Sequence, residues 1–134
     1  MRDYQDICLK FGHILNGKSE QKSDGGCSVH FQRSFPAYMQ GKQSHSVLPV
    51  DVLFESLDQQ GNALNLAEAA LLQEEVPPFL LSVLQQGLIV SAVHNHWLFT
   101  DPVIIYVHIQ SVEPPLQFAR KMANAFTFLR SPLE

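Results

Sequence analysis

The chain has 134 residues, of which 46% are hydrophobic and 16% are charged, so it is long enough for one domain with its own buried core. Its formal net charge is −4 and its nine Lys and Arg residues are scattered, which argues against a nucleic-acid partner because phosphate binding needs a concentrated basic surface. No segment approaches the roughly 20 apolar residues that cross a bilayer. The N-terminus carries Asp3 and Asp6 and lacks the long apolar core of a signal peptide. We therefore predict a soluble, cytoplasmic protein without a membrane partner.

The first half of the chain contains one clear helix and two clear strands. Apolar residues at helical spacing predict a helix over Tyr4–Leu15, and the polar, glycine-rich stretch 16–26 predicts a flexible loop. Alternating or β-branched residues then predict strands over 27–35 and 46–57. The stretch Ala63–Leu72 is ambiguous, because its residues favour a helix while the spacing of its leucines would also suit a strand.

The second half of the chain gives clearer signals. Apolar residues at helical spacing predict a helix that begins near Glu75, with prolines in its first turn, and ends at Gly87. Two runs rich in β-branched and aromatic residues, 88–99 and 102–110, predict a β-hairpin. The stretch 114–130 has a stripe of apolar residues that predicts a closing helix.

The order of these elements predicts the fold class. A helix, two or three strands, a second helix, the hairpin and a last helix form an α+β layout, in which a largely antiparallel sheet carries helices packed on one face. We predict a single domain over residues 1–134, with a C-terminal β-hairpin followed by a helix. The chain shows no internal repeat and no low-complexity tract.

The two cysteines leave the redox state open. Cys8 and Cys27 could form one disulfide if the protein is exported, whereas two free thiols are expected if it is cytosolic. Neither lies in a Cys-x-x-Cys or zinc-finger spacing.

Three of the six histidines fall on the predicted hairpin. His94 and His96 project to the same face of a strand, because side chains alternate along it. If residues 100–102 form a three-residue turn, His94 lies opposite His108 and all three imidazoles share one face. A loop one residue shorter or longer would move His108 to the other face.

Three imidazoles on one face, with a position open to water, are typical of a catalytic Zn²⁺ site. The sequence therefore predicts that His94, His96 and His108 bind Zn²⁺ or another divalent metal. If the protein is an enzyme, it would be a metal-assisted hydrolase or lyase with Glu75 as the general base. Two other interpretations remain: a metal-free polar pocket, and histidines that only stabilise the strands.

A small-molecule ligand defines a second class of function. Arg33 lies on the apolar face of its predicted strand, and a buried arginine needs a carboxylate partner or an anionic ligand. The alternative to a metal protein is thus a non-catalytic small-molecule or carbohydrate-binding module, with Arg33, Trp97 and Tyr106 as contacts. A structural dimerisation unit is a third hypothesis.

The run 71–110 resembles the LppY/LpqO family, bacterial proteins of unknown function. The resemblance rests on short motifs: Glu74–Glu75–Val76, Gly87–Leu88, Ala92–Val93–His94–Asn95–His96, Pro102 and Val107–His108–Ile109. It implies that the ambiguous stretch before Glu74 is a strand that leads directly into the helix. Members often carry two copies of this unit and some look exported, so a single-copy chain is expected to form a homodimer. The family name supplies no reaction.

Overall fold

The computed structural model describes residues 4–134. Within this range the chain forms three helices: α1 (Tyr4–Leu15), α2 (Val76–Gln85) and α3 (Pro115–Phe126). Its strands, in chain order, are β1 (Ser19–Gln21), β2 (Cys27–Gln32), β3 (Tyr38–Met39), β4 (Lys42–Gln43), β5 (Pro49–Glu55), β6 (Ala63–Leu72), β7 (Ile89–His94), β8 (Thr100–Asp101) and β9 (Ile104–Glu113). A short 3₁₀ turn, Gln73–Glu75, joins β6 to α2.

Six of these strands form one antiparallel sheet in the order β1-β2-β5-β6-β9-β7. The helices contact its strands and one another in the order α1, α3, α2: α1 contacts β1 and β2, α3 contacts β6 and β9, and α2 contacts β7. The predicted α+β fold, with a largely antiparallel sheet and a C-terminal strand followed by a helix, is therefore confirmed. A small second sheet has the order β4-β3-β8.

The main core lies between the helices and the sheet. Phe11, Phe54, Phe79 and Phe118 are each 0% exposed and come from α1, β5, α2 and α3 in turn. Each aromatic side chain removes a large apolar area from water, so these four residues dominate the hydrophobic stabilisation of the fold.

Strand β6 shows tertiary packing overriding local propensity. Its alanines and leucines favour a helix in isolation, yet it pairs along its length with β5 on one side and with β9 on the other. Its residues alternate between buried and half-buried positions over most of its length, which is the pattern of a central strand covered unequally on its two faces. The strand implied by the family resemblance is present.

Two local predictions differ from the structure. The stretch 16–26, predicted as a flexible loop, contains the edge strand β1, whose three residues pair with β2. The hairpin strand predicted to reach Phe99 ends at His94. Thr100 and Asp101 are not a turn but form β8, which pairs with β3 in the small sheet. The connection between β7 and β9 is therefore longer than the three-residue turn that the sequence suggests.

Cys8 and Cys27 are joined in a disulfide, with their Cα atoms 5.6 Å apart. The bond ties α1 to β2, and it selects the paired alternative that the sequence left open. Disulfides persist in oxidising compartments and are rare in the cytosol, and the cytoplasmic location stays a prediction. No helix in the described part of the chain is long and apolar enough to cross a membrane.

Candidate functional site

The face of the six-stranded sheet opposite the helices, here called the open face, is covered only at one end. There the segment that contains β3 and β4 packs onto the sheet. The contact is a small second core made of Ala37, Val47, Leu48, Ala70, Ile104 and Tyr106. Beyond this second core the open face carries polar side chains that none of the helices α1, α2 and α3 covers, and these include the predicted metal ligands.

The side chains of His94, His96 and His108, here called the three imidazoles, lie together on the open face. The Nε2 atoms of His94 and His108 are 3.0 Å apart, and the two rings are nearly parallel, with centroids 5.0 Å apart. The centroid of the His96 ring lies 5.5 Å from that of His94. The structure thus brings the three predicted metal ligands into one neighbourhood.

The register that produces this arrangement differs from the expected one. His94 pairs with Tyr106, and Ala92 pairs with His108, after a β-bulge between Val90 and Ala92. The shift from the expected pairing is two residues, and an even shift leaves every side chain on the same face of the sheet. The rings of His94 and His108 therefore meet diagonally rather than directly across the ladder.

Glu68 is a site residue that the sequence analysis missed. On β6 it pairs directly with His108 of β9 on one side and with Asp51 of β5 on the other. Asp51 in turn pairs with His30, whose Nδ1 atom lies 2.5 Å from the carboxylate. A row of carboxylates and imidazoles thus crosses the open face. Sequence carried no signal for it, because the strand character of β6 was ambiguous and its register with β5 and β9 is a tertiary property.

Tyr106 forms the floor of the site. It is 2% exposed, and its hydroxyl donates to the backbone carbonyl of Val47 at 2.5 Å. Burial raises the pKa of Tyr106, and the negative charge of Glu68 adds to the rise, although a side-chain hydrogen bond with Trp97 acts in the opposite direction. The phenol therefore stays neutral and acts as a fixed hydrogen-bond donor.

Trp97 lies at the rim of the site, 38% exposed. The rings of Trp97 and His96 form an edge-to-face contact, with their centroids 4.4 Å apart. His96 also contacts Tyr106 edge-on, at 5.2 Å between centroids. Of the three predicted ligand contacts, Trp97 and Tyr106 therefore lie beside the imidazoles.

Glu75 and Arg33 do not belong to this site. Their side chains are both 0% exposed and form a bidentate ion pair, with nitrogen–oxygen distances of 2.8 and 2.7 Å. The Glu75 carboxylate also accepts the backbone N–H groups of Leu72 and Arg130, and Arg33 donates to the Ala70 carbonyl.

These contacts set the protonation state of Glu75. Burial alone would raise the pKa of Glu75, but the hydrogen bonds from Arg33, Arg130 and Leu72 and the charge of Arg33 outweigh it and hold that pKa below its ordinary value. A carboxylate that is buried, ionised and fully hydrogen-bonded is poorly suited to take a proton from a ligand. The position of Glu75 therefore does not suit the predicted general-base role. Of the two partners predicted for Arg33, a carboxylate or an anionic ligand, the structure shows the carboxylate.

Across residues 4–134, no group of three or more His, Cys, Asp or Glu side chains is already placed to hold a metal ion. His94 and His108 approach each other closely, whereas His96 is exposed on the segment that follows β7. A site made of the three imidazoles would therefore need the His96 ring to move.

A family model described as Domain of Unknown Function (DUF1259) matches residues 10–128. The match covers most of the chain and contains the whole open face. It does not bear the LppY/LpqO name, so that narrower resemblance stays a prediction. Comparison with curated proteins found no match, and neither did comparison with solved structures.

Proposed function

Because the chain belongs to the family described as Domain of Unknown Function (DUF1259), whose description names no reaction, we propose its function from the geometry of the open face. In this proposal the three imidazoles bind a divalent metal, with Zn²⁺ as the best fit, and leave one position open, while Glu68 lies beside them. The single observation that carries it is the 3.0 Å separation of the Nε2 atoms of His94 and His108.

Two imidazole nitrogens that are 3.0 Å apart share either a proton or a metal ion. Either one Nε2 carries a proton and donates it to the other, or both bind the same ion. Zn–N bonds of about 2.0–2.1 Å at a tetrahedral angle place two nitrogen ligands about 3.3 Å apart. The observed separation is within a few tenths of an ångström of this value, so a metal could enter with a small opening of the hairpin.

His96 and Glu68 are the side chains that would complete the site. His96 lies two residues beyond His94 and is exposed, so its ring can turn with the loss of its edge-on contacts with Trp97 and Tyr106. Glu68 faces His108 across the β6–β9 ladder, so its carboxylate lies beside the site, where a general base is needed. Three imidazoles suit Zn²⁺ better than hard cations, which prefer oxygen ligands.

A water on the remaining position of a catalytic zinc becomes a nucleophile near neutral pH. If the protein is an enzyme, a metal-assisted hydrolase or lyase is the class that this ligand set fits. Glu68 replaces Glu75 as the candidate base, because it lies next to His108 on an accessible face. Tyr106 would hold a hydrogen-bonded group in place rather than exchange protons, since its raised pKa keeps it neutral.

One observation favours a second candidate, a metal-free module that binds a small molecule or a carbohydrate. Trp97 is partly exposed at the rim, and carboxylates and imidazoles line the face beside it. Aromatic rings next to convergent polar groups are typical of small-molecule sites. In this case the 3.0 Å contact is an ordinary hydrogen bond between imidazoles.

Calorimetric titration of the purified protein with Zn²⁺ separates the two candidates. We expect one Zn²⁺ per chain for the wild type. His108→Ala should weaken the affinity by more than about tenfold, since even the loss of a partner outside the ligand shell can cost that much. His13→Ala is the control, because His13 is an exposed histidine on α1, and the helices lie on the opposite face of the sheet. An absence of binding, or an equal loss in both variants, would overturn the metal proposal.

A further inference from the structure

One long stretch of this chain carries no charge. Residues 76–100 contain no Asp, Glu, Lys or Arg, although 16% of the whole chain is charged. In the structure this stretch forms α2 and β7, which lie side by side at one edge of the molecule. An edge without charges lacks the usual protection against pairing with another chain.

The two edges of the six-stranded sheet differ in this respect. At one edge β1 has three residues, one of which is Glu20, and such a short, charged strand discourages further pairing. At the other edge β7 has six residues, IVSAVH, with no charge and no proline, and its one irregularity is the β-bulge between Val90 and Ala92. Ile89 is 56% exposed and Val93 is 45% exposed. No strand in the described part of the chain lies beyond β7, so its outer backbone groups have no partner in the sheet.

The helix beside this edge also presents apolar side chains outward. Leu81 and Leu84 of α2 are 57% and 56% exposed, and their spacing of three residues puts them on one side of the helix. Because α2 is the outermost helix of its layer on the β7 side and contacts β7, we take this pair and the exposed residues of β7 together as one surface.

We propose that this surface is the interface between two copies of the chain. In the dimer, β7 pairs antiparallel with β7 of the second copy, so that the two sheets become one, and Leu81 and Leu84 pack against the same residues of the facing helix. A two-fold axis makes a surface its own partner, and an uncharged strand edge satisfies its N–H and C=O groups by such pairing. A lipid surface would leave those backbone groups without hydrogen bonds.

The dimer would also affect the site on the open face. His94 is the last residue of β7, so pairing through β7 puts both sets of imidazoles on the same face of the joined sheet, near the two-fold axis. Ordering the end of β7 would fix the position of His94. This inference does not rest on metal binding and can fail or succeed independently of it.

Sedimentation equilibrium of the full chain, with chelator present to exclude metal-driven association, tests the interface. We expect a dimer for the wild type at micromolar concentration and a monomer for Leu81→Glu combined with Leu84→Glu. The matched control is Leu9→Glu on α1, since Leu9 is 55% exposed and lies at the opposite end of the helix layer; it should remain a dimer. A monomeric wild type, or a dimer that survives the double substitution, would overturn the proposal.

Amide hydrogen exchange gives a second readout that misfolding would not imitate. In the wild type we expect slow exchange for amides of residues 89–94. In the double variant exchange should become faster in this strand, while amides of β5 and β6 stay protected. Co-sedimentation of a monomeric wild type with neutral phosphatidylcholine vesicles would instead assign the surface to lipid and reject the dimer.

Discussion

At the scale of single residues, polar side chains occur in two settings, namely a buried ion pair and an accessible row on the open face. The side chains of Arg33 and Glu75 are completely buried and form a bidentate ion pair, whereas Asp51, Glu68 and His108 lie half-buried on the open face. A buried, fully paired ion pair stabilises one arrangement of the chain, and accessible groups with spare lone pairs can bind a ligand. This contrast is why Glu68, and not Glu75, is the candidate base.

The Glu75→Gln substitution should destabilise the fold strongly. It leaves the Arg33 guanidinium buried without its counter-charge, and breaking one partner of a buried pair costs about 3–5 kcal/mol. The control is Glu74→Gln next to it, because the Glu74–Arg130 pair is exposed and 3.4 Å apart and should contribute less than about 1 kcal/mol. Chemical denaturation of both variants measures the difference; equal midpoints would refute the structural role of Glu75.

The same carboxylate makes stability depend on pH. The pKa of Glu75 is lowered from its ordinary value of 4.5, so the folded state holds the ionised form more strongly than the unfolded state does. Its contribution is therefore fully present above pH 4.5 and is lost as the pH falls through the lowered pKa. Thermal melts between pH 7 and pH 3 should show this acid-side loss in the wild type and a smaller one in Glu75→Gln. Parallel curves would contradict the assignment.

At the scale of elements, sequence periodicity predicts most of the secondary structure. The three helices, and the strands around Val29, Val52 and Val107, follow from apolar spacing and from proline and glycine signals. Strand β6 does not, since only its two neighbours in the sheet explain why alanines and leucines are extended there. The end of β7 was also missed, because the pairing of Thr100 with Met39 is a long-range contact.

The candidate site was predictable only in part for the same reason. Alternation along one strand places His94 and His96 on one face, and an even shift of register leaves His108 there too. Glu68 depends on the registers of two further ladders, which no local pattern encodes. The burial of Glu75 depends on Arg33, which lies far away in the sequence.

The disulfide is an element-scale restraint that can be tested directly. Cys8 and Cys27 are 19 residues apart and join α1 to β2, and closing a loop of this size stabilises a fold by about 3 kcal/mol. The Cys8→Ser, Cys27→Ser double variant should therefore unfold at lower denaturant concentration than the oxidised wild type. Reduced wild type is the control and should match the variant; a reduced protein as stable as the oxidised one would argue against the bond.

At the scale of the whole molecule, the sheet separates two surfaces with different roles. Helices cover one face and build the main core, so that face stabilises the domain. The other face is left open beyond the second core and presents the polar row and the three imidazoles. The uncharged edge formed by α2 and β7 connects the two, because β7 carries His94 and pairs, in our proposal, with a second copy.

Zinc-edge X-ray absorption of the protein loaded with one equivalent of Zn²⁺ shows directly whether His94 and His108 share a metal ion. We expect a first shell with at least two imidazole nitrogens at about 2.0–2.1 Å, with one imidazole fewer in His108→Ala. A first shell of oxygen atoms alone, or zinc that dialysis removes from the wild type, would contradict it.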